Sequence, residues 1–259
     1  MSVLIEKTLF GEENKIKDAI QLLQDLEPEE GYYLAFSGGK DSIVIKELAD
    51  IAKVKYDAHY NVTCIDPPEI IYFMRNYHED VIWDRPKESF VWAMVKNGFP
   101  QRQRRWCCAE YKEKGGEGRM VVTGIRAAES HKRAGRKFVE LCYKGTGKRY
   151  LNPILKWTED DVWQFIDERN LPYCKLYDEG WKRIGCLFCP NAGTKHRIME
   201  TKKYPGYTKL FIEAFNRLYK DRKDKGLHGF DRWKSGEEAF WWWIREPDKE
   251  DPDQRVMFE

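Results

Sequence analysis

Apolar positions along the chain fall into short runs that alternate with stretches of helical period. Ile16, Ala19, Ile20, Leu23 and Leu26 recur at three- and four-residue spacing and predict an amphipathic helix from Lys15 to Leu26. Glu27-Pro28-Glu29-Glu30-Gly31 breaks it, and the apolar run Tyr32 to Phe36 predicts a buried strand. A helix to about Ala52 follows, then a strand over Ala58–Ile65 and a helix opened by Pro67-Pro68 that runs to about Tyr77. Further on come a short strand at Val81–Trp83, a helix over Lys87–Asn97 and a β-prone strand over Met120–Ile125. Thr158, with Asp161 three residues on, predicts the capped start of another helix that carries Val162, Trp163 and Ile166 on one side.

Beyond Cys189-Pro190 the pattern is helical only: Lys195–Lys203, Pro205–Lys225 and Gly236–Arg245, with Pro247–Glu259 reading as a polar tail. Alternating strands and helices predict an α/β fold with a doubly wound parallel sheet of about five strands and a helical C-terminal portion. The expected organisation is an α/β domain over residues 1–190 and a helical extension over residues 191–259 packed on it.

Composition supports this picture and narrows the setting. The 259 residues are 42% hydrophobic and 34% charged, enough for a sizeable core under a polar surface. A net charge of +2 predicts no polyanion partner by itself. Between Asn191 and Gly226, however, ten Lys or Arg face four Asp or Glu. That excess reads first as a solvated helix face, and second as a surface for nucleic acid or an acidic protein. No apolar run approaches the roughly 20 residues that span a bilayer. Met1 to Asn14 also lacks the basic-then-apolar order of a signal peptide. The expected compartment is therefore the cytoplasm, with no membrane partner. There the seven cysteines stay reduced, so clustered ones point to metal or catalysis rather than disulfides.

The most informative stretch is Ser37-Gly38-Gly39-Lys40-Asp41-Ser42, set between a strand and a helix. A helix N-terminus offers unpaired N–H groups to an anion, and glycines let the backbone approach it closely. Lys40 adds a point charge, and Ser37 and Ser42 add hydroxyls. The spacing of a Walker A loop is absent, so the chemistry read here is phosphate binding of another kind. Two cysteine pairs stand apart from it: Cys107-Cys108, and Cys186-Leu187-Phe188-Cys189. Four thiolates can serve one zinc ion or one iron–sulfur cluster, and thiolate chemistry alone leaves both open. Arg102, Arg104, Arg105, Lys112 and Lys114 lie close by in sequence to offset their charge. Cys64, Cys142 and Cys174 stand alone and read as small buried hydrophobes, with Cys64 nearest the phosphate loop. The run Phe240-Trp241-Trp242-Trp243 reads as the packing face of a closing helix, with at least one tryptophan left exposed or in an interface.

The loop hexapeptide resembles the PP-loop of N-type ATP pyrophosphatases. Their superfamily includes phosphoadenosine-phosphosulfate (PAPS) reductase, the small subunit of ATP sulfurylase, tRNA thiolation enzymes and the DNA-phosphorothioation pyrophosphatase. Three other places carry the resemblance. Thr63-Cys64-Ile65-Asp66-Pro67-Pro68-Glu69 is similar to the family segment beside the nucleotide. Gly124-Ile125-Arg126 with Glu129-Ser130, Arg133 and Arg136 resembles the family's phosphate- or sulfate-contacting element. Pro153-Ile154-Leu155, Trp157-Thr158 and Asp161-Val162-Trp163 match a further segment, in which the two tryptophans read as core. The resemblance covers roughly residues 30 to 200 and implies an adenine nucleotide alpha hydrolase-like fold.

It also implies an ATP–Mg²⁺ site. Its nucleotide-binding residues are Ser37, Gly38, Gly39, Lys40, Asp41, Ser42, Thr63, Asp66, Gly124, Arg126 and Arg133, with Lys40, Asp41 and Arg126 catalytic. The two cysteine pairs resemble the signature of 4Fe–4S adenylyl-sulfate reductases and of the phosphorothioation enzyme. That assigns Cys107, Cys108, Cys186 and Cys189 to a 4Fe–4S cluster, with zinc as the alternative. The implied activity is ATP-dependent, pyrophosphate-releasing activation for sulfur transfer. A cysteine desulfurase is the expected sulfur donor and a nucleic acid the expected acceptor; a homodimer is a further expectation. The chain departs from the reductases in having no cysteine after Cys189, where they place a nucleophile, and in keeping the loop intact. Adenylyl-sulfate or PAPS reduction is the second reading, and a non-catalytic nucleotide-binding subunit the third.

Overall fold

A computed structural model describes residues 4–8, 11–227 and 229–245. Strands β1 (Ile5–Thr8) and β2 (Gly11–Asn14) form an antiparallel hairpin that no sequence signal announced. Asn14 then caps helix α1 (Lys15–Asp25) by accepting from the N–H groups of Ile16 and Lys17. The chain enters strand β3 (Tyr32–Ala35), helix α2 (Lys40–Ala52), strand β4 (Tyr56–Asn61) and helix α3 (Pro68–Tyr77). Strand β5 (Ile82–Asp84), helices α4 (Phe90–Asn97) and α5 (Trp106–Tyr111) and strand β6 (Met120–Val122) follow. After the short helix α6 (His131–Ala134) come strands β7 (Val139–Leu141) and β8 (Arg149–Leu151) and helix α7 (Glu159–Glu168).

The main sheet has six strands in the order β5-β4-β3-β6-β8-β7. The five strands from β5 to β8 run parallel, and β7 adds an antiparallel edge. The strand order reverses at β3, with β4 on one side and β6 on the other. In open α/β sheets such a switch point opens a crevice at the carboxyl ends of the strands. Ser37–Ser42 and Gly124–Arg126 both leave those ends. Tyr32 and Leu34 on β3 are buried, as are Ala58 and Tyr60 on β4 and Val122 on β6. The core is one continuous cluster that extends through Phe165 and Ile166 of α7.

Three helices complete the described chain: α8 (Thr194–Lys203), α9 (Pro205–Asp224) and α10 (Gly236–Arg245). Phe211 of α9 packs on Phe90 of α4 with ring centroids 5.8 Å apart, and on Phe188 at 4.9 Å. Trp243 is buried and donates its indole N–H to the Pro100 carbonyl at 2.8 Å. Trp241 and Trp242 are half-buried. The Arg245 guanidinium lies 5.3 Å from the Trp241 ring centroid, and Arg232 lies 4.3 Å from Trp242. The expected Pro247–Glu259 tail lies outside the described residues.

Candidate functional site

Three loops meet at the carboxyl ends of β3, β4 and β6. The loop after β3 is held by its own hydroxyls. The Ser42 Oγ donates to the Gly39 carbonyl at 2.7 Å and accepts from the Ser37 N–H at 3.2 Å. The Ser37 Oγ lies 3.3 Å from it. Gly38 sits at φ 71°, left-handed backbone that an L side chain rarely adopts. A Cβ there would lie 3.1 Å from the Met74 sulfur. Gly39 is the N-cap of α2 and carries no side-chain cap. Among the described residues, the N–H groups of Gly38 and Asp41 make no hydrogen bond. Unpaired amides at the head of a 13-residue helix are the anion-binding arrangement that the sequence predicts.

Lys40 is placed less directly than expected. The residue is 4% exposed, and its ammonium donates to the Lys182 carbonyl at 3.3 Å. It also lies 3.6 Å from Glu159 and 3.8 Å from Asp41. The charge therefore stands at the flank of the loop. Asp41 accepts from the Arg126 Nε at 2.6 Å, and Arg126 is 3% exposed. That bond ties the loop after β3 to the loop after β6. The junction needs Gly124, where a Cβ would fall 2.9 Å from the Asp41 carbonyl.

Arg126 also donates its backbone N–H to Glu129 at 3.0 Å, and Glu129 pairs with Arg133. Arg133 is pulled down to about 10, first by burial and then by the charge of Arg183, with Arg126 and Arg136 adding to the effect and Asp41 opposing it. Several guanidiniums crowded this closely favour an anion between them. Arg183 makes no ion pair among the described residues. After β4, Asp66 accepts from the Thr63 N–H at 3.1 Å and Thr63 from the Ile65 N–H at 3.3 Å, so both expected residues are buried in a tight turn. Cys64 stands at the crest of that turn at φ 65° and is exposed, which corrects the expectation of a buried hydrophobe. Cys174 is buried as expected.

The two cysteine pairs lie within electrostatic reach of each other. The thiol of Cys108 is pulled down by its neighbour Cys107 and by Lys112 and Arg105, against burial. Cys107 is pushed up by Cys108 and by burial, with the charges of Cys189 and Cys186 adding to the effect. Cys186 is raised to about 11 by burial, and the nearby Lys112 opposes this. The Lys112 ammonium is in turn raised, mainly by Cys186, with Asp66 contributing. A backbone bond from the Leu187 N–H to the Ile65 carbonyl, 2.9 Å long, joins the second pair to the turn after β4. The thiol donors suit a thiophilic metal or an iron–sulfur cluster. As arranged, no three His, Cys, Asp or Glu side chains among the described residues form a metal-ligating group.

Sequence reasoning missed the segment between these two sites. Tyr177 accepts from the Lys40 N–H at 3.0 Å, Lys182 supplies the carbonyl on the Lys40 ammonium, and Arg183 stands beside Arg133. No local pattern marks these residues, because tertiary packing alone delivers them to the loop.

Comparison with known proteins agrees with this fold. Residues 31–192 match the family described as phosphoadenosine phosphosulfate reductase domain. An uncharacterised protein of Methanocaldococcus jannaschii is 30% identical over 216 residues, covering 77% of this chain and 51% of that protein. A second protein from the same organism is 32% identical and 45% covered, so the chain spans about half the length of these two relatives. An adenosine 5'-phosphosulfate reductase of Geobacillus kaustophilus is 27% identical, covering 79% of this chain and 92% of that enzyme. Among solved structures, the PAPS reductase of Candida auris, in a phosphate complex, superposes with a TM-score of 0.51 at 20% identity. It covers 66% of this chain and 89% of its own, a likeness of fold.

Proposed function

The chain belongs to the phosphoadenosine phosphosulfate reductase domain family, and from that premise we propose that it cleaves ATP between the α- and β-phosphates to activate a substrate for sulfur transfer. The observation that carries this reading is the intact Ser37–Ser42 loop, with Gly38 in left-handed backbone and open amides at the head of α2. Those amides would take the pyrophosphate end of ATP, bound with Mg²⁺, which when present supplies charge neutralisation at the phosphates. Arg126, braced by Asp41, and Arg133 would hold the anionic groups around the α-phosphorus. Lys40, at the flank, would balance charge growing on the departing pyrophosphate. Thr63 and Asp66 shape the wall beside it, through the turn that their mutual hydrogen bond closes.

Cys107, Cys108, Cys186 and Cys189 would hold a 4Fe–4S cluster, with zinc the alternative. When bound, a cluster supplies a soft centre that can position or pass sulfur. The support is the donor chemistry of two thiol pairs within electrostatic reach of each other and of Lys112. Anaerobic purification with iron, sulfide and zinc assays tests it: stoichiometric iron and sulfide are expected, and a metal-free chain would refute it. A cysteine desulfurase as sulfur donor and a nucleic acid as acceptor complete the reading. The basic residues between 191 and 226 are its electrostatic support.

A second reading has its own support, since several relatives are named adenosine 5'-phosphosulfate reductases. The two separate in one assay. ATP, adenylyl sulfate and PAPS are offered in turn, and pyrophosphate and sulfite are measured, the latter with a thiol reductant. Pyrophosphate from ATP, reduced at least a hundredfold in Lys40→Ala, is the expected result; sulfite from a sulfonucleotide with no turnover of ATP would favour the reductase.

A further inference from the structure

Tyr177 reaches the phosphate loop from a segment that carries none of the loop's sequence signals. Its hydroxyl oxygen is 3.0 Å from the Lys40 nitrogen, the first helical amide of α2, and 3.5 Å from where a Cβ on Gly39 would sit. The ring is clamped on several sides. Trp163 of α7 meets it edge-on with centroids 5.0 Å apart, Tyr173 lies at 6.3 Å, and the Lys40 ammonium stands 5.5 Å from its centroid. A phenol held this way has little freedom to swing off the loop, so its position belongs to the site as built.

The direction of the hydrogen bond matters more than its presence. The Lys40 N–H is the donor, so the phenol oxygen is the acceptor and its own proton remains to be given. Among the described residues, that proton has no acceptor. Burial, with Asp41 and Glu159 acting in the same sense, raises the phenol far above its ordinary range, so the proton stays in place at physiological pH. The result is an O–H donor at the lip of a cradle whose Gly38 and Asp41 amides are also open.

We propose that Tyr177 is a phosphate-binding residue of the nucleotide site, its hydroxyl taking the Lys40 N–H and passing a hydrogen bond on to a non-bridging oxygen of the bound pyrophosphate group. This inference rests on the nucleotide reading given above and deepens it, by assigning a phosphate contact outside the glycine loop. The same residue sets a limit on occupants. An anion seated at the Lys40 amide must either accept from the hydroxyl or displace it, and the two cases have opposite consequences when the hydroxyl is removed.

Tyr177→Phe keeps the ring and its clamp and removes only the oxygen. Calorimetric titration of the full chain and of Y177F with ATP, inorganic pyrophosphate and AMP separates the cases, with thermal melting to show that both are folded. The expected result is a roughly ten- to hundredfold weaker affinity for ATP and pyrophosphate, the loss of one hydrogen bond to a charged group. AMP, which lacks the pyrophosphate, should bind both proteins alike. Equal or tighter binding of pyrophosphate by Y177F would overturn the proposal, because the hydroxyl would then compete with the anion. An equal loss for AMP would overturn it too, as the sign of a general distortion. Failure of the unsubstituted chain to bind ATP or pyrophosphate would instead sink the nucleotide reading, and the Tyr177 assignment with it.

Discussion

At the scale of single residues, the decisive observation is that Lys40 and Arg126 are almost wholly buried yet charged. Burying a charge is costly unless it is paired, and both are: Arg126 by Asp41, and Lys40 by carboxylates and a carbonyl on its flank. The loop glycines and serines were legible because their roles are local, fixed by φ and by neighbouring amides. Tyr177 and Arg183 were not, since only the folded chain brings them to the loop. His78 shows the same dependence on tertiary setting. It packs 4.6 Å from Phe36 and 5.0 Å from Phe73, and its Nε2 has no partner. Burial, then the charge of Lys46, pulls it down to about 4 from 6.5, with Asp80 opposing. Between those values the unfolded chain takes up a proton that the folded chain refuses. Stability is therefore expected to fall by up to about 3 kcal/mol as pH drops from 6.5 to 4, and this contribution to level off below that. Urea melts across that range check it, and His78→Leu should flatten the slope.

At the scale of elements, the strand–helix alternation was readable because each core strand is apolar and each helix has an apolar face. Boundaries were less so. The apolar run through Ile65 suggests a longer β4, but the strand ends at Asn61. Asp66 there takes the Thr63 N–H for a side-chain turn, and Cys64 goes left-handed. Strands β7 and β8 escaped notice because each is only three residues long and carries a charged residue, Glu140 or Arg149, with sheet pairing supplying the order. Helix α7 is the opposite case. Thr158 and Asp161 satisfy each other's backbone N–H groups at 2.7 and 3.1 Å, as their spacing foretold. Asp161 also takes the Lys15 ammonium at 2.8 Å, which locks α7 to α1. Thr158→Ala is expected to cost about 1 kcal/mol in chemical denaturation.

At the scale of the whole molecule, one core runs from the sheet into α9 and α10, through Phe90, Phe188, Phe211 and Trp243. The helices after residue 190 therefore share their packing with the segment that carries Cys186 and Cys189, and we read them as an extension that braces it. Among the described residues, no helix is long and apolar enough to cross a membrane. The arrangement sets a polar cradle beside a group of thiols, joined by the turn after β4. The account stands on the cradle: backbone amides at the head of α2 receiving phosphate. The most direct test is the structure of the protein crystallised with a non-hydrolysable ATP analogue. The expected density places the terminal phosphates against the Gly38 and Asp41 amides and the Tyr177 hydroxyl, with the α-phosphate toward Arg126. Analogue density bound elsewhere, with those amides left in solvent, would contradict it.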